Sequence, residues 1–169
     1  MRQTIYWKHI IVACGSLALA LTASAQSATT TITANPGNYS RDTTVTAANG
    51  QTATYQNNAT WGNGSYNDNR SVTGFNGKTA TSSTTATYAP GSTTRETTTT
   101  GFNGKTTTYQ NDRSWGNGTY NDSRSYTGVN GGTRTDTVTR SGGEVTNTFT
   151  GRNGNSRTVS HPAGWRVRR

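Results

Sequence analysis

Ten turn dipeptides cut this chain at nearly even intervals. They are Pro36-Gly37, Asn49-Gly50, Asn63-Gly64, Asn76-Gly77, Pro90-Gly91, Asn103-Gly104, Asn117-Gly118, Asn130-Gly131, Gly142-Gly143 and Asn153-Gly154, at steps of 13, 14, 13, 14, 13, 14, 13, 12 and 11 residues. Asn-Gly is the strongest short hairpin signal, because a type I′ turn needs positive φ at both central residues. The stretches between the dipeptides run to about ten residues rich in Thr, Tyr and Val, the types that suit a pleated surface. The spacing predicts an all-β fold: an antiparallel up-and-down meander of about eleven strands, made of tandem β-hairpin repeats in an elongated or curled sheet.

The interval reflects a repeat. NGQTATYQNNATWGNGSYNDNRSVTG starts at Asn49, and NGKTTTYQNDRSWGNGTYNDSRSYTG starts at Asn103, 54 residues later. Halfway between them, at Asn76, starts NGKTATSSTTATYAPGSTTRETTTTG, so two kinds of 27-residue unit alternate. The units are 49–75, 76–102, 103–129 and a shortened 130–152. The phrase TGFNGK recurs unchanged at Thr73 and Thr100, with TGVNGG at Thr127 and TGRNGN at Thr150, and serves as the joint between strands.

Two-residue turns at Asn63-Gly64 and Asn117-Gly118 predict a register. Trp61 then faces Tyr66, Ala59 faces Asp68, Asn57 faces Arg70 and Tyr55 faces Val72. In the second copy Trp115 faces Tyr120, Arg113 faces Asp122, Asn111 faces Arg124 and Tyr109 faces Tyr126. Such cross-strand pairs contribute roughly 0.2–1 kcal/mol each. Carrying the alternation through every turn as a two-residue turn puts Tyr55, Trp61, Tyr66, Val72, Phe102, Tyr109, Trp115, Tyr120 and Tyr126 on one face. The other face is mostly Thr, Asn and Ser, with Phe75 and Tyr88 as exceptions, and a one-residue bulge would invert whatever follows it. The aromatic face is expected to be buried against another layer, a partner or its own curled sheet.

Composition limits the core. Residues 1–25 read as a secretory signal peptide: Arg2 and Lys8, an apolar run from Ile10 to Leu21, and Ala23-Ser24-Ala25 as a cleavage signal before Gln26. Ile11-Val12-Ala13-Cys14 resembles a lipoprotein processing site, but Lys8 and His9 crowd it and the main apolar run follows it. After residue 25 there is no Cys, Leu or Met, and the aliphatics are Ile32 and seven valines. Exported chains of this kind usually rely on disulfides or a sizeable core. The expectation is a thin Thr-rich sheet over residues 26–160, or a chain disordered until self-assembly. Fourteen Lys and Arg against seven Asp and Glu leave the part after residue 25 at +7, a balance that favours polyanions.

The phrase TG-x-NG-[KG]-T among Thr-rich strands behind a signal peptide resembles exported bacterial tandem-repeat proteins with no assigned activity. Tyr66-Asn67-Asp68 and Tyr120-Asn121-Asp122 resemble, more distantly, the YD-type β-repeats of bacterial surface and toxin-shell proteins, where hairpins wind into a strip. The resemblance implies a hairpin-repeat fold and supplies no site.

Little catalytic chemistry is written here. A hydrolytic triad needs a nucleophile, a base and an acid, and His161 is the one histidine after residue 25. The acids recur at repeat positions or beside Arg, which suits surface pairing, and no clustered calcium loop is present. No cofactor or metal is expected, and the chain is read as non-enzymatic. Arginines interleaved with aromatics suit stacking and charge contacts to a polyanion. The candidate contacts are Arg70, Lys78, Lys105 and Arg124, with Arg166, Arg168 and Arg169 of the basic tail 161–169. The expected role is structural, adhesive or matrix-forming at the bacterial envelope or outside the cell. The alternative is a module binding lipopolysaccharide, acidic polysaccharide or nucleic acid. Expected partners are further copies joined through sheet edges and an anionic envelope polymer, with no membrane span after residue 25. The expected location is the periplasm, the cell surface or the medium.

Overall fold

The computed structural model describes residues 25–164. The predicted leader with Cys14, and Arg166, Arg168 and Arg169 of the tail, lie outside them. The strands are β1 (Ala25–Asn35), β2 (Asn38–Ala47), β3 (Thr52–Gly62), β4 (Ser65–Thr73), β5 (Thr79–Ala89), β6 (Ser92–Thr100), β7 (Thr106–Gly116), β8 (Thr119–Thr127), β9 (Thr133–Ser141), β10 (Glu144–Thr150) and β11 (Ser156–Pro162). They form one 11-stranded antiparallel sheet in chain order. Each strand touches only its neighbours in sequence, so β1 and β11 are open edges and the sheet is not closed. No helix among the described residues is long and apolar enough to cross a membrane.

The Asn-Gly dipeptides make two different turns. At Asn63-Gly64 and Asn117-Gly118 both residues have positive φ (48° and 72°, 49° and 75°), as a type I′ turn requires. At Asn76-Gly77 only the glycine is left-handed, at φ 72°. The Gly74 amide donates to the Lys78 carbonyl and the Gly77 amide donates to the Gly74 carbonyl, both at 2.9 Å. Phe75, Asn76 and Gly77 thus form a three-residue loop. The same bonds recur at Ala47–Gln51, Gly101–Lys105, Gly128–Gly132 and Gly151–Asn155. The residues of the repeated phrase each have a part in the joint. Asn76 Oδ1 accepts from the Lys78 amide at 3.1 Å, and the Thr73 and Thr79 hydroxyls, on the closing pair, bond at 2.8 Å. Thr100 with Thr106 and Thr127 with Thr133 repeat that closure.

Loop length sets which face each side chain takes. The predicted pairs around Asn63-Gly64 and Asn117-Gly118 are all present. The three-residue loop at Phe75 shifts the next register by one, so Val72 opposes Ala80. Tyr88 therefore lies on the aromatic face rather than opposite it, and Phe75 sits in the joint. The loop at Phe102 shifts the register back, so Tyr109, Trp115, Tyr120 and Tyr126 fall where expected while Phe102 itself belongs to a joint.

The core is one-sided. Val45, Ala53, Ala59, Val72, Ala80, Ala86 and Val145 are buried, and all lie on the face that carries the aromatics. Among the described residues no second layer covers them. The small side chains are shielded by larger neighbours, and Trp61 and Trp115 stay 45% and 44% exposed. The expected burial of the aromatic face is thus only partial within one chain, because a single open sheet offers nothing to pack on it.

Two glycines with the same φ of 72° separate backbone strain from crowding. A methyl on Gly77 would meet open space, whereas one on Gly64 would run into the Tyr88 carbonyl. There the Tyr88 amide bonds the Gly64 carbonyl at 2.6 Å. Gly77→Ala should cost about 1–2 kcal/mol from the left-handed backbone alone. Gly64→Ala should cost clearly more, read as the difference between their urea unfolding midpoints.

Candidate binding face

Strict alternation sorts the charges. Arg41, Arg70, Arg95, Arg113, Arg124, Arg134, Arg140 and Arg157 all lie on the aromatic face, with Asp68, Asp122 and Asp136. The opposite face carries Asp42, Glu96, Asp112 and Glu144 among Thr, Ser, Asn and Gln, and no cation among the described residues. Lys78, Lys105 and Arg152 sit in joints. One side is an arginine face and the other an acidic threonine face.

Two copies of one cluster anchor the arginine face. Asp68 is 4% exposed and accepts from Asn57 Nδ2 at 2.5 Å, Arg70 Nη2 at 2.6 Å, Arg70 Nε at 3.2 Å and the Tyr66 hydroxyl at 3.2 Å. Asp122, also 4% exposed, accepts from Asn111 Nδ2 at 2.5 Å, Arg124 Nη2 at 2.6 Å, Arg124 Nε at 3.3 Å and the Tyr120 hydroxyl at 3.2 Å. Arg113 Nε adds an ion pair to Asp122 at 3.3 Å, where the first copy has Ala59. A buried charge survives when paired and hydrogen-bonded, and each cluster meets that condition within one β-hairpin.

The second cluster is strongly biased. Burial alone would raise the Asp122 pKa, but hydrogen bonds from Arg124 and Asn111 and the charges of Arg113 and Arg124 outweigh it and hold the carboxyl at about 2. Hydrogen bonding to Asp122 raises Arg124 above its ordinary value, against a smaller opposing effect of burial. Tyr66 is raised by burial and by the neighbouring Asp68 charge.

Of the sequence-predicted contacts, Arg70 and Arg124 occupy equivalent places and are each tied to an aspartate. Lys78 lies with Phe75, Phe102 and Asn103 around a shallow depression between two neighbouring joints, and Lys105 belongs to the second of those joints. Tyr55, Trp61, Tyr66, Tyr109, Trp115, Tyr120 and Tyr126 share the arginine face as expected. Sequence reasoning missed Arg41, Arg95, Arg134, Arg140 and Arg157, none of which has a carboxylate within salt-bridge reach among the described residues. Arg41, Arg134 and Arg140 lie over the rings of Tyr55, Tyr126 and Tyr120 at 5.6, 5.2 and 5.8 Å from the centroids. Arg95 Nε is buried without a hydrogen-bond partner. Their shared face was readable from alternation, given the correct loop length at each joint. Among the described residues no three of His, Cys, Asp and Glu gather to hold a metal ion.

The result is an extended surface of half-exposed rings and guanidinium groups, suited to stacking and to anion contacts. No family model, curated protein or solved structure matches this chain.

Because the folded Asp122 pKa lies below the roughly 3.9 of an unfolded aspartate, its stabilising contribution is complete above about pH 4. It is lost as pH falls toward about 2. Urea midpoints measured across that window should fall with pH, and Asp122→Asn should flatten the fall. At pH 7, Asp122→Ala should cost roughly 1.5–3 kcal/mol, since it strips a charged acceptor from Asn111 and Arg124.

Proposed function

We propose that this chain is an exported, non-enzymatic β-repeat protein with a structural, adhesive or matrix role at the bacterial envelope or outside the cell. The observation that carries the reading is the uncovered arginine face, where Trp61, Tyr88 and Trp115 stay exposed beside arginines that lack a carboxylate partner. Exposed apolar patches ringed by polar groups mark contact surfaces. A surface of this length built from repeats suits an extended partner better than a small molecule. The leader supports export.

A second reading, a polyanion-binding module, is favoured by the confinement of strand arginines to one face. The clusters at Asp68 and Asp122 hold Arg70 and Arg124 in fixed positions, which lowers the cost of ordering them on a ligand.

Expressed in a bacterium with its own leader, the protein should be recovered with the envelope or from the medium, and should associate with itself or with envelope material. Retention in the cytosol with the leader uncleaved, or a strict monomer that binds no envelope fraction, would overturn the first reading. For the second, affinity for heparin should fall linearly in log–log form with salt. Arg95→Gln with Arg134→Gln should reduce that slope by roughly one or two, and salt-independent or absent binding would remove the reading.

A further inference from the structure

We propose that copies of this chain stack face to face and head to tail, the arginine face of one sheet resting on the acidic threonine face of the next. This inference rests on the structural reading above and names its partner as a second copy.

The two faces are complementary in charge. Asp42, Glu96, Asp112 and Glu144 are exposed and make no ion pair or hydrogen bond among the described residues. Glu96 opposes Gln110, and Asp112 stands two residues further along β7, so the two carboxylates are diagonal neighbours with no cation on their face. Like charges at such spacing repel, and their repulsion is relieved only from outside the sheet. On the reverse side of the same strands, Arg95 and Arg113 are also diagonal neighbours. The Nε of each is buried without a hydrogen bond.

The charges are also arranged back to back. Successive residues of a strand point to opposite faces, so Arg41-Asp42, Arg95-Glu96 and Asp112-Arg113 each place a cation on one face and an anion on the other. Glu144 opposes Ser141, next to Arg140. Moving a copy along the sheet normal by one sheet spacing, about 10 Å, sets these acids over the corresponding arginines. The same step lays a Thr-rich surface over Trp61, Tyr88 and Trp115. Because the two contacting faces differ, the contact is heterologous and nothing in it closes, so stacks grow without limit.

Sedimentation velocity of the full chain, expressed with its own leader, tests this at about 0.01 M and about 1 M salt, between which the Debye length falls from roughly 30 Å to 3 Å. Association is expected in low salt and dissociation in high salt. Two variants matched in net charge locate the contact. Glu96→Gln with Asp112→Asn neutralises the acidic face at exposed, unpartnered positions. Ala48→Lys with Val129→Lys adds the same two units of charge at exposed joint positions. The first should weaken association at least tenfold, and the second should leave it as in the parent, with unchanged circular dichroism in both. Equal association in both variants would overturn stacking in favour of pairing through the β1 edge, and equal loss would reduce the effect to overall charge. A chain that is monomeric in low salt but still binds the envelope would overturn stacking and leave the adhesive reading standing.

Discussion

The backbone hydrogen-bond ladder between consecutive strands is what holds this protein together. No strand reaches past its chain neighbour, and the apolar side chains that are buried are mostly alanine and valine. In most domains a second layer supplies much of the stabilisation; here the ladder, the cross-strand pairs and the turns carry it. Stability then resembles that of a repeat array, a sum of strand-to-strand terms with no long-range closure. That dependence explains the joints. Each must return the chain with its hydrogen bonds in register, and the repeated phrase does so with a left-handed glycine, an asparagine cap and a closing threonine pair.

The ladder also sorts the chemistry. Once register is fixed, side-chain parity alone sends every strand arginine to one face and leaves only acids on the other. The buried aspartates Asp68 and Asp122 are tolerable only because the hairpin brings Asn, Tyr and Arg donors to each. These clusters take the place of an apolar centre in the Trp-bearing hairpins. A sheet polarised in this way, with rings and guanidinium groups on one surface and carboxylates on the other, is made for contact.

The hairpins at Asn63 and Asn117 were legible residue by residue, since a type I′ turn has one register and the aromatic pairs confirm it in both copies. The joints were not. Asn-Gly serves both a two-residue turn and the last two positions of a three-residue loop, and the dipeptide alone does not choose. The discriminating signal lies outside it, in the threonines six residues apart at Thr73 and Thr79. Missing it misplaced Tyr88 and Phe102, while two successive one-residue shifts cancelled before Tyr109. For the same reason Arg70 and Arg124, beside the well-read turns, were named as candidates, and Arg41 and Arg95, on the strands of Pro-Gly turns, were not.

The sequence by itself determined the number of strands, their order and antiparallel sense, because turn residues at short regular spacing allow no other path for the chain. It also determined that any core would be thin, because it supplies almost no aliphatic side chains. Tertiary structure decided which face each residue takes from β5 onward, since one residue in a loop inverts the parity of the strand after it. It also decided that the aromatic face stays open: no composition or spacing says whether a sheet closes, and here β1 and β11 do not meet.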